Sequence, residues 1–322
     1  MKAAVLVEKE KFEFREFPIP EPDDHSVLVR MEACAICNAT DTKLFKGTHA
    51  MAAYPAIIGH EGVGIVEAVG KKVSRLKVGD RILGGNFYCD GIPSLWGTYS
   101  EYATADENTV IVPPSVSAEE ATLAFMLSEA LNAVRIADIK AEDYILLIGA
   151  GAVGFNILSI LKNVLHRRTI VVDLVDEKLQ MASRLGADLV INSGKENVAE
   201  RILEATDGKG VNKIFEAVGS QATYEMAFSL ITRGGVIIPF GMMEGRLEIP
   251  FRTLYAKEVQ MRWCKGSGAN ETENKEIALQ LIEKGIVRAE NLITGIVPFE
   301  RVSEAFDRIR SGREIRVILK IS

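Results

Sequence analysis

Three side chains near the N-terminus could bind a metal ion. Cys37 and the neighbours His60 and Glu61 offer a thiolate, an imidazole and a carboxylate, and all three groups are zinc ligands. Three protein ligands and one open position are typical of a catalytic zinc, whereas a structural zinc is enclosed by four ligands. A histidine beside a glycine turn can also serve packing alone, but the upstream cysteine and the adjacent acid favour one catalytic zinc.

A second chemical signal is the run Tyr144–Gly154, Tyr-Ile-Leu-Leu-Ile-Gly-Ala-Gly-Ala-Val-Gly. It predicts a short apolar strand, a tight turn and the start of a helix. Gly149 permits the turn, Gly151 lets the backbone approach a pyrophosphate, and Gly154 lets the helix pack closely on the strand. The helix N-terminus, at Ala152-Val153, presents unpaired N–H groups to phosphates. The run therefore predicts a dinucleotide site rather than an ordinary connection between a strand and a helix.

The acid that ends the next apolar strand indicates which dinucleotide binds. Asp173 follows Thr169-Ile-Val-Val, and a carboxylate at this place accepts hydrogen bonds from the adenosine ribose and repels a 2′-phosphate. Residues 174–177 contain no arginine that could neutralise such a phosphate. NAD is therefore predicted rather than NADP. Lys178 comes late enough to contact the ribose edge, and the alternative is a solvated helix residue.

Length and composition indicate an ordinary globular chain of two domains. Of its 322 residues, 48% are hydrophobic and 25% are charged. A net charge of −6 gives no broad basic surface for nucleic acid or an anionic membrane. The N-terminus is strand-like rather than a signal peptide, and no apolar run is long enough to span a bilayer. Four cysteines do not make a disulfide framework, so a cytoplasmic location is expected.

Residues 1 to about 120 predict short strands without long helices, which is typical of a small barrel or sandwich. The expected strands are Val27–Glu32, Ile65–Gly70, Asp80–Leu83, Tyr99–Ala103 and Val110–Pro114.

From Ser117 onward, strands alternate with helices, which favours a parallel sheet covered on both faces. A helix over Glu119–Ala137 is followed by six strands, as a doubly wound domain requires, at 144–148, 169–173, 189–192, 212–216, 235–240 and 258–263. Two helices, Glu271–Lys284 and Arg301–Ile309, precede a last strand, Ile315–Ile321. That strand is expected to return to the first domain, so that the doubly wound unit is inserted in the barrel.

These two motifs, in this order and spacing, resemble the zinc-dependent medium-chain dehydrogenases, the alcohol and polyol dehydrogenase family, and in particular its sorbitol dehydrogenase branch. The resemblance covers essentially the whole chain. It implies an α/β fold in which a GroES-like β-barrel catalytic domain binds zinc and carries an inserted doubly wound Rossmann domain that binds NAD. The expected domains are residues 1–126 and 127–266, with 267–322 returning to the catalytic domain.

The resemblance also implies the reaction and the assembly. The reaction is hydride transfer between NAD(H) and the alcohol or ketone carbon of a polyol, a sugar-like compound or another secondary alcohol. The assembly is a homodimer or homotetramer, with the strand around Val259–Trp263 as the candidate contact, because an exposed edge strand needs cover.

The resemblance assigns roles around the zinc. Cys37 and His60 become ligands, and Glu61 becomes a ligand or the carboxylate that exchanges with water. Thr40 becomes the hydroxyl that relays the substrate proton. Asp41 becomes the partner that orients His60.

Three further residues acquire cofactor roles by the same resemblance. Arg316 would reach the pyrophosphate, while Val218 and Gly241 would line the nicotinamide side.

The chain departs from the family pattern at the zinc. One extra residue separates Cys37 from Asp41, and no histidine follows Asp41, where the family carries its usual relay. Phe125 or Met126 occupies the place of the family's further ligand. Glu129, one helical turn later on nearly the same face, is the candidate ligand or water-mediated partner. A surface acid and a substrate contact are the alternatives for Glu129.

The remaining cysteines predict no structural zinc. Relatives with that zinc have four closely spaced cysteines in one lobe, whereas only Cys89 is left in a shortened lobe here. Cys34 and Cys37 form a CxxC, but no second CxxC exists. Cys34 and Cys264 are expected to be buried strand residues.

Two alternative functions stay open. One is a zinc-free quinone or enone reductase of the same superfamily, against which Asp173, Cys37 and His60 all weigh. The other is a non-catalytic NAD-binding protein, for which the missing relay histidine leaves room.

Overall fold

The computed structural model describes residues 1–86, 94–243, 245–312 and 314–322. The chain divides into two compact units, one comprising Met1–Phe125 and Lys275–Ser322, the other Met126–Asn274. The first boundary lies one residue from the expected one. The second, expected between 266 and 267, falls between 274 and 275.

The first unit is built mainly from short strands. They are β1 (Lys2–Glu8), β2 (Lys11–Glu16), β3 (Ser26–Ala35), β4 (Ala56–Ile57), β5 (Glu61–Val69), β6 (Arg81–Leu83) and β7 (Tyr102–Asp106). The helices before the second unit are α1 (Thr40–Lys46), α2 (Ala118–Ala121) and α3 (Leu123–Ala137), of which α3 continues into that unit.

The second unit alternates strands with helices, as the sequence predicts. Its strands are β8 (Ile145–Ile148), β9 (Thr169–Asp173), β10 (Leu189–Asn192), β11 (Val211–Glu216), β12 (Ile231–Pro239) and β13 (Gln260–Met261). Its helices are α4 (Ala152–Asn163), α5 (Asp176–Arg184), α6 (Val198–Ala205), α7 (Gln221–Leu230) and α8 (Phe251–Ala256).

The chain then completes the first unit. Helix α9 (Glu271–Glu283) leads into it, followed by β14 (Gly295–Pro298), α10 (Val302–Arg310) and β15 (Val317–Lys320). Strand β15 pairs antiparallel with β3 through Ile318 and Ala35. The last strand therefore lies beside a strand from the start of the chain.

The strands of the first unit form two sheets. One has the order β14-β15-β3-β5-β6, with β7 also paired to β3, and the other has the order β2-β1-β4. Strand β3 is central because it pairs with β15, β5 and β7. Its alternate side chains Val27, Val29, Met31 and Ala33 are all buried. Strands β3 and β5 pair antiparallel along most of their length, and at one end Ala35 lies opposite Glu61, so the end of β3 is beside the start of β5.

The sheet of the second unit has the order β10-β9-β8-β11-β12-β13, and every pair is parallel. The order reverses between β8 and β11, and ligands of such sheets bind outside the carboxyl ends of the strands at this point. The predicted α/β doubly wound architecture is therefore confirmed.

Three local expectations were wrong. Val110–Pro114 forms no strand; Ile111 makes only an isolated bridge to Ile82, and the two prolines that follow Val112 have no N–H to donate. The expected helix over Glu119–Ala137 is two helices, broken at the buried Thr122, whose hydroxyl bonds the Glu119 carbonyl. Cys264 lies beyond the short strand β13 and is only partly buried.

In the described part of the chain, no helix combines the length and apolar character needed to cross a membrane.

Candidate active site and cofactor pocket

The predicted metal ligands meet in the first unit. Cys37 follows β3, His60 precedes β5, and Glu61 is the first residue of β5. Because β3 and β5 are neighbours, the three ligand atoms all lie within 4.8 Å of one another. Among the described residues, this is the one group of three or more such side chains that could hold a metal ion.

A buried acid supports the histidine from behind. Asp41, on the first turn of α1, is fully buried, and its Oδ1 lies 3.2 Å from His60 Nδ1, although not in hydrogen-bond geometry. The other oxygen, Oδ2, accepts the Cys37 N–H at 2.9 Å and the Tyr99 hydroxyl at 2.8 Å. Asp41 therefore lies against two of the ligand candidates, and the orienting role towards His60 that the resemblance implied stays a prediction. Tyr99 was missed as a site residue, because only the folded chain shows which acid its hydroxyl meets.

The electrostatics of this cluster favour a cation. Burial by itself lowers the pKa of His60, but the nearby Asp41 carboxylate, together with Cys37 and Glu61, raises it to about 12. A sulfur, a nitrogen and an oxygen donor within reach of one another suit zinc, and a carboxylate beside the far nitrogen is the usual companion of a zinc-binding histidine. The residues present therefore fit a zinc ion.

Arg316 pairs with one of the ligand candidates. Its side chain is 2% exposed, and its guanidinium donates to Glu61 Oε2 and, at 2.7 Å, to the Thr122 carbonyl. A carboxylate as buried as Glu61 needs such a partner. Glu61 Oε1 is left 3.7 Å from His60 Nε2. In this structure Arg316 is therefore a partner of a zinc-ligand candidate, and its contact with the pyrophosphate stays a prediction.

Two residues lie beside the ligands without joining them. Thr40, the first residue of α1, is half-buried, and its N–H points to Cys37 Sγ at 3.4 Å. The ring of Trp96 stands 4.9 Å from the His60 ring at 48° and is 37% exposed. Thr40 therefore lies next to the Cys37 sulfur, and the Trp96 ring lies beside the His60 imidazole.

Two expectations about the metal remain predictions. Glu129 is on α3 in the second unit and is not a member of the three-residue cluster of the first unit. Cys89, with its shortened lobe, lies outside the described residues.

The dinucleotide motif lines a pocket of the second unit. The pocket has a volume of about 280 Å³ and is lined by residues that include Gly149, Gly151, Asp173, Lys178 and Val218. It lies at the carboxyl ends of β8, β9 and β11, where the strand order reverses. Five of the predicted cofactor residues are thus brought together.

The glycines of the motif have the geometry that their predicted roles require. Gly149 has φ +99°, and a Cβ there would lie 2.7 Å from the Val218 side chain. A Cβ on Gly154 would lie 2.0 Å from the Gly149 carbonyl oxygen, so a side chain would push helix α4 off the turn. A Cβ on Gly151 would meet nothing within 4 Å, which leaves open space beside the backbone that precedes Ala152 and Val153.

Asp173 is held in place by backbone groups. Its Oδ2 accepts the Ala150 N–H at 2.7 Å, and its Oδ1 accepts the N–H groups of Leu174 and Val175 at 2.8 and 3.0 Å. The acid therefore fastens the end of β9 to the glycine turn, in addition to any contact with a ribose. Lys178 lines the same pocket.

Val218 and Gly241 belong to two loops in direct contact. A Cβ on Gly241 would lie 2.2 Å from the Gly219 nitrogen, so Gly241 is needed for the close approach of the loops. Val218 lines the pocket that contains Asp173 and Lys178, and its assignment to the nicotinamide side stays a prediction. Contact of Gly241 with nicotinamide stays a prediction.

Comparison with known families agrees with this arrangement. Residues 23–115 match the model of the alcohol dehydrogenase GroES-like domain, and residues 152–284 match that of the zinc-binding dehydrogenases. An alcohol dehydrogenase of Geobacillus stearothermophilus is 31% identical over 346 residues, covering 100% of both chains. The D-arabitol-phosphate dehydrogenase of Enterococcus avium is 28% identical, over 95% of this chain and 93% of its own.

A solved structure extends the likeness to the fold. The benzyl alcohol dehydrogenase of Acinetobacter calcoaceticus superimposes with a TM-score of 0.90 at 26% identity, over 100% of this chain and 99% of its own. Both family matches and the metal-ligand cluster disfavour the zinc-free reductase and the non-catalytic protein. The chain belongs to the zinc-dependent medium-chain dehydrogenase family of alcohol and polyol dehydrogenases, as the sequence motifs predicted.

Proposed function

We propose that this protein is a dehydrogenase that uses NAD and one catalytic zinc to oxidise a polyol, a sugar-like compound or another secondary alcohol, and that it reduces the matching ketone in reverse. The observation that carries the proposal is the convergence of Cys37, His60 and Glu61 within 4.8 Å. The names of two relatives support this range of substrates: one is an alcohol dehydrogenase, and the other is a D-arabitol-phosphate dehydrogenase, which acts on a sugar-like compound.

The chain's own residues prepare the zinc site. Asp41 occupies the Nδ1 side of His60, which leaves Nε2 facing Glu61. Arg316 holds one oxygen of Glu61, so that the other is directed to the cluster. A zinc ion bound there supplies Lewis acidity to an alcohol oxygen. Glu129 or water would complete the set of ligands.

Proton movement is assigned to Thr40. Its place at the start of α1, beside Cys37 Sγ, supports a role for its hydroxyl in taking the alcohol proton. Water or a ribose hydroxyl would continue the path, because the family's relay histidine is missing.

The cofactor is proposed to be NAD. The N–H groups that begin α4 suit a pyrophosphate, and Asp173 disfavours a 2′-phosphate. The nicotinamide itself carries the hydride chemistry, and the residues of the pocket fix its orientation.

We also propose a homodimer or homotetramer, a cytoplasmic location and no structural zinc. Among the residues that the structure describes, the edge strand β13 pairs only with β12, and Trp263 just beyond it is 69% exposed. On α8, which precedes this strand, Phe251 and Tyr255 are 68% and 75% exposed. An apolar surface beside a free strand edge is a typical contact between copies of a chain.

Elemental analysis of protein purified without added metal or chelator tests the proposal. We expect about one zinc per chain and NAD-dependent turnover of at least one alcohol. Cys37→Ser and His60→Ala should lose zinc and turnover but keep NAD binding. His25→Ala, which changes an exposed histidine, is the control that should keep all three properties.

Full activity in Cys37→Ser or His60→Ala would contradict the zinc assignment. Bound NAD without any zinc would also overturn it. Two zinc ions per chain would show that the lobe around Cys89 holds a structural zinc after all.

A further inference from the structure

A fully buried carboxylate lies next to the cofactor pocket without being part of its lining. Glu216 ends β11 and has no exposed surface. Its Oε1 accepts the N–H groups of Val218 and Gly219 at 3.0 and 2.9 Å, and the Thr223 hydroxyl at 2.8 Å. These donors are all neutral. A buried charge without a cation is costly, so its hydrogen bonds must be well placed.

The groups that Glu216 holds form one wall of the pocket. Val218 and Thr223 both line it, together with Asp173 and Lys178. The Val218 side chain also stands against the glycine turn, since a Cβ on Gly149 would lie 2.7 Å from it. The loop that carries Val218 therefore faces the glycine turn at the end of the pocket where Asp173 and Lys178 lie, which is the end proposed to bind the adenosine ribose.

The backbone of Glu216 holds a second loop against the first. Its carbonyl accepts the N–H groups of Phe240 and Gly241 at 2.9 and 2.8 Å, at the end of β12. Neither Gly219 nor Gly241 has room for a Cβ, because each would meet the backbone of the other loop at 2.8 Å or less. One residue thus anchors two loops that touch through their backbones.

We propose that Glu216 is a positioning residue for the adenosine half of the cofactor. Its carboxylate keeps Val218 and Thr223 at the pocket wall before the cofactor arrives, so that binding does not have to order the loop. The inference rests on the part of the proposed function that places a dinucleotide in this pocket, and it does not depend on alcohol turnover.

Glu216→Gln tests the role with a change of few atoms. The amide replaces one carboxylate oxygen by an N–H donor. Oε1 accepts from Val218, Gly219 and Thr223, and Oε2 accepts the Gly219 N–H at 3.1 Å. One of these donors then faces another donor, and the loop loses its fixed position. Glu225→Gln, an exposed change on α7, the helix that carries Thr223, is the matched control.

The measurement is calorimetric binding of AMP, NAD and nicotinamide mononucleotide to the zinc-loaded, full-length protein. For Glu216→Gln we expect AMP and NAD to bind about tenfold more weakly, and by the same factor. Nicotinamide mononucleotide should bind as it does to the wild type. A purely structural role would lower the melting temperature without separating AMP from the mononucleotide.

Tyr224→Phe gives a second, milder test if Glu216→Gln does not fold. It removes a buried hydroxyl whose pKa is raised by burial and by the nearby Glu216, and this hydroxyl is outside the pocket lining. A weaker loss with the same preference for AMP is expected. Wild-type affinity for AMP in Glu216→Gln, or equal losses for AMP and the mononucleotide, would overturn the inference. Wild-type protein that binds AMP but turns over no alcohol would refute the proposed function alone.

Discussion

The ion pair between Arg316 and Glu61 offers the sharpest test of the zinc-site structure. The two side chains are 2% and 3% exposed, and Arg316 also donates to the Thr122 carbonyl. Replacing Arg316 by Met takes the guanidinium away from Glu61, which then has, among the described residues, only His60 Nε2, 3.7 Å from its Oε1, as a cationic neighbour. It also removes the donor to the Thr122 carbonyl. Breaking a buried pair from one side costs about 3–5 kcal/mol, a large part of a typical stability of about 5–15 kcal/mol.

The two tryptophans permit the two units to be followed separately. Trp96 belongs to the first unit and Trp263 to the second. In a Trp263→Phe background, fluorescence therefore reports unfolding around the zinc site alone. For metal-free protein in urea, Arg316→Met should lower the midpoint by on the order of 2 M, given a slope of about 2 kcal/mol per M.

A double-mutant cycle separates the interaction free energy of Arg316 and Glu61 from any general destabilisation that each substitution causes. Glu61→Gln removes the charge that Arg316 compensates, so the double variant should be more stable than the two separate losses predict, by about 1–3 kcal/mol. Lys72→Met, which breaks an exposed pair with Asp24 in the same unit, should leave the midpoint unchanged. Simple additivity, or an Arg316→Met midpoint equal to that of Lys72→Met, would refute the reasoning.

Three further outcomes are expected. Asp41→Ala should weaken zinc binding about 10–100-fold in a chelator competition, because His60 and Cys37 lose a shared partner; the exposed change Asp24→Ala should not. Asp173→Asn should shift the kcat/KM ratio of NADP to NAD by about tenfold or more, since repulsion of the 2′-phosphate disappears. Burial and the charge of Glu129 raise the pKa of Cys264 to about 11, so iodoacetamide at pH 8 should label it on the order of 100-fold more slowly than an unfolded cysteine, and Glu129→Gln should speed labelling.

Each of these outcomes has a clear opposite. Unchanged zinc affinity in Asp41→Ala would mean that the acid does not support the ligands. An unchanged cofactor ratio in Asp173→Asn would leave its backbone hydrogen bonds as its only role. Rapid labelling of Cys264 in the folded wild type would show that the thiol is neither buried nor close to Glu129.

The errors of the sequence-based fold have two physical causes. At Val110–Pro114 and at β13, apolar runs predicted longer strands than the chain forms, because hydrophobic patterning does not reveal whether a partner strand is present. The helix expected across Thr122 breaks at a hydroxyl that bonds its own backbone, a choice that periodicity does not encode.

By itself, the sequence determined the features that depend on near neighbours. The turn at Gly149, the acid at the end of β9 and the alternation of strands with helices are local, since each follows from residue types a few positions apart. The identity of the zinc ligands was also readable, because thiolate, imidazole and carboxylate are chemically distinctive.

Only the tertiary structure decided which distant groups meet. Arg316 pairs with Glu61 across 255 residues, and Tyr99 bonds Asp41 across 58. Glu216 holds a pocket wall through contacts that no motif marks. Buried polar groups must find partners wherever the packed strands bring them, so the surroundings of the ligands and of the cofactor loops follow from the packing of the chain rather than from its local pattern.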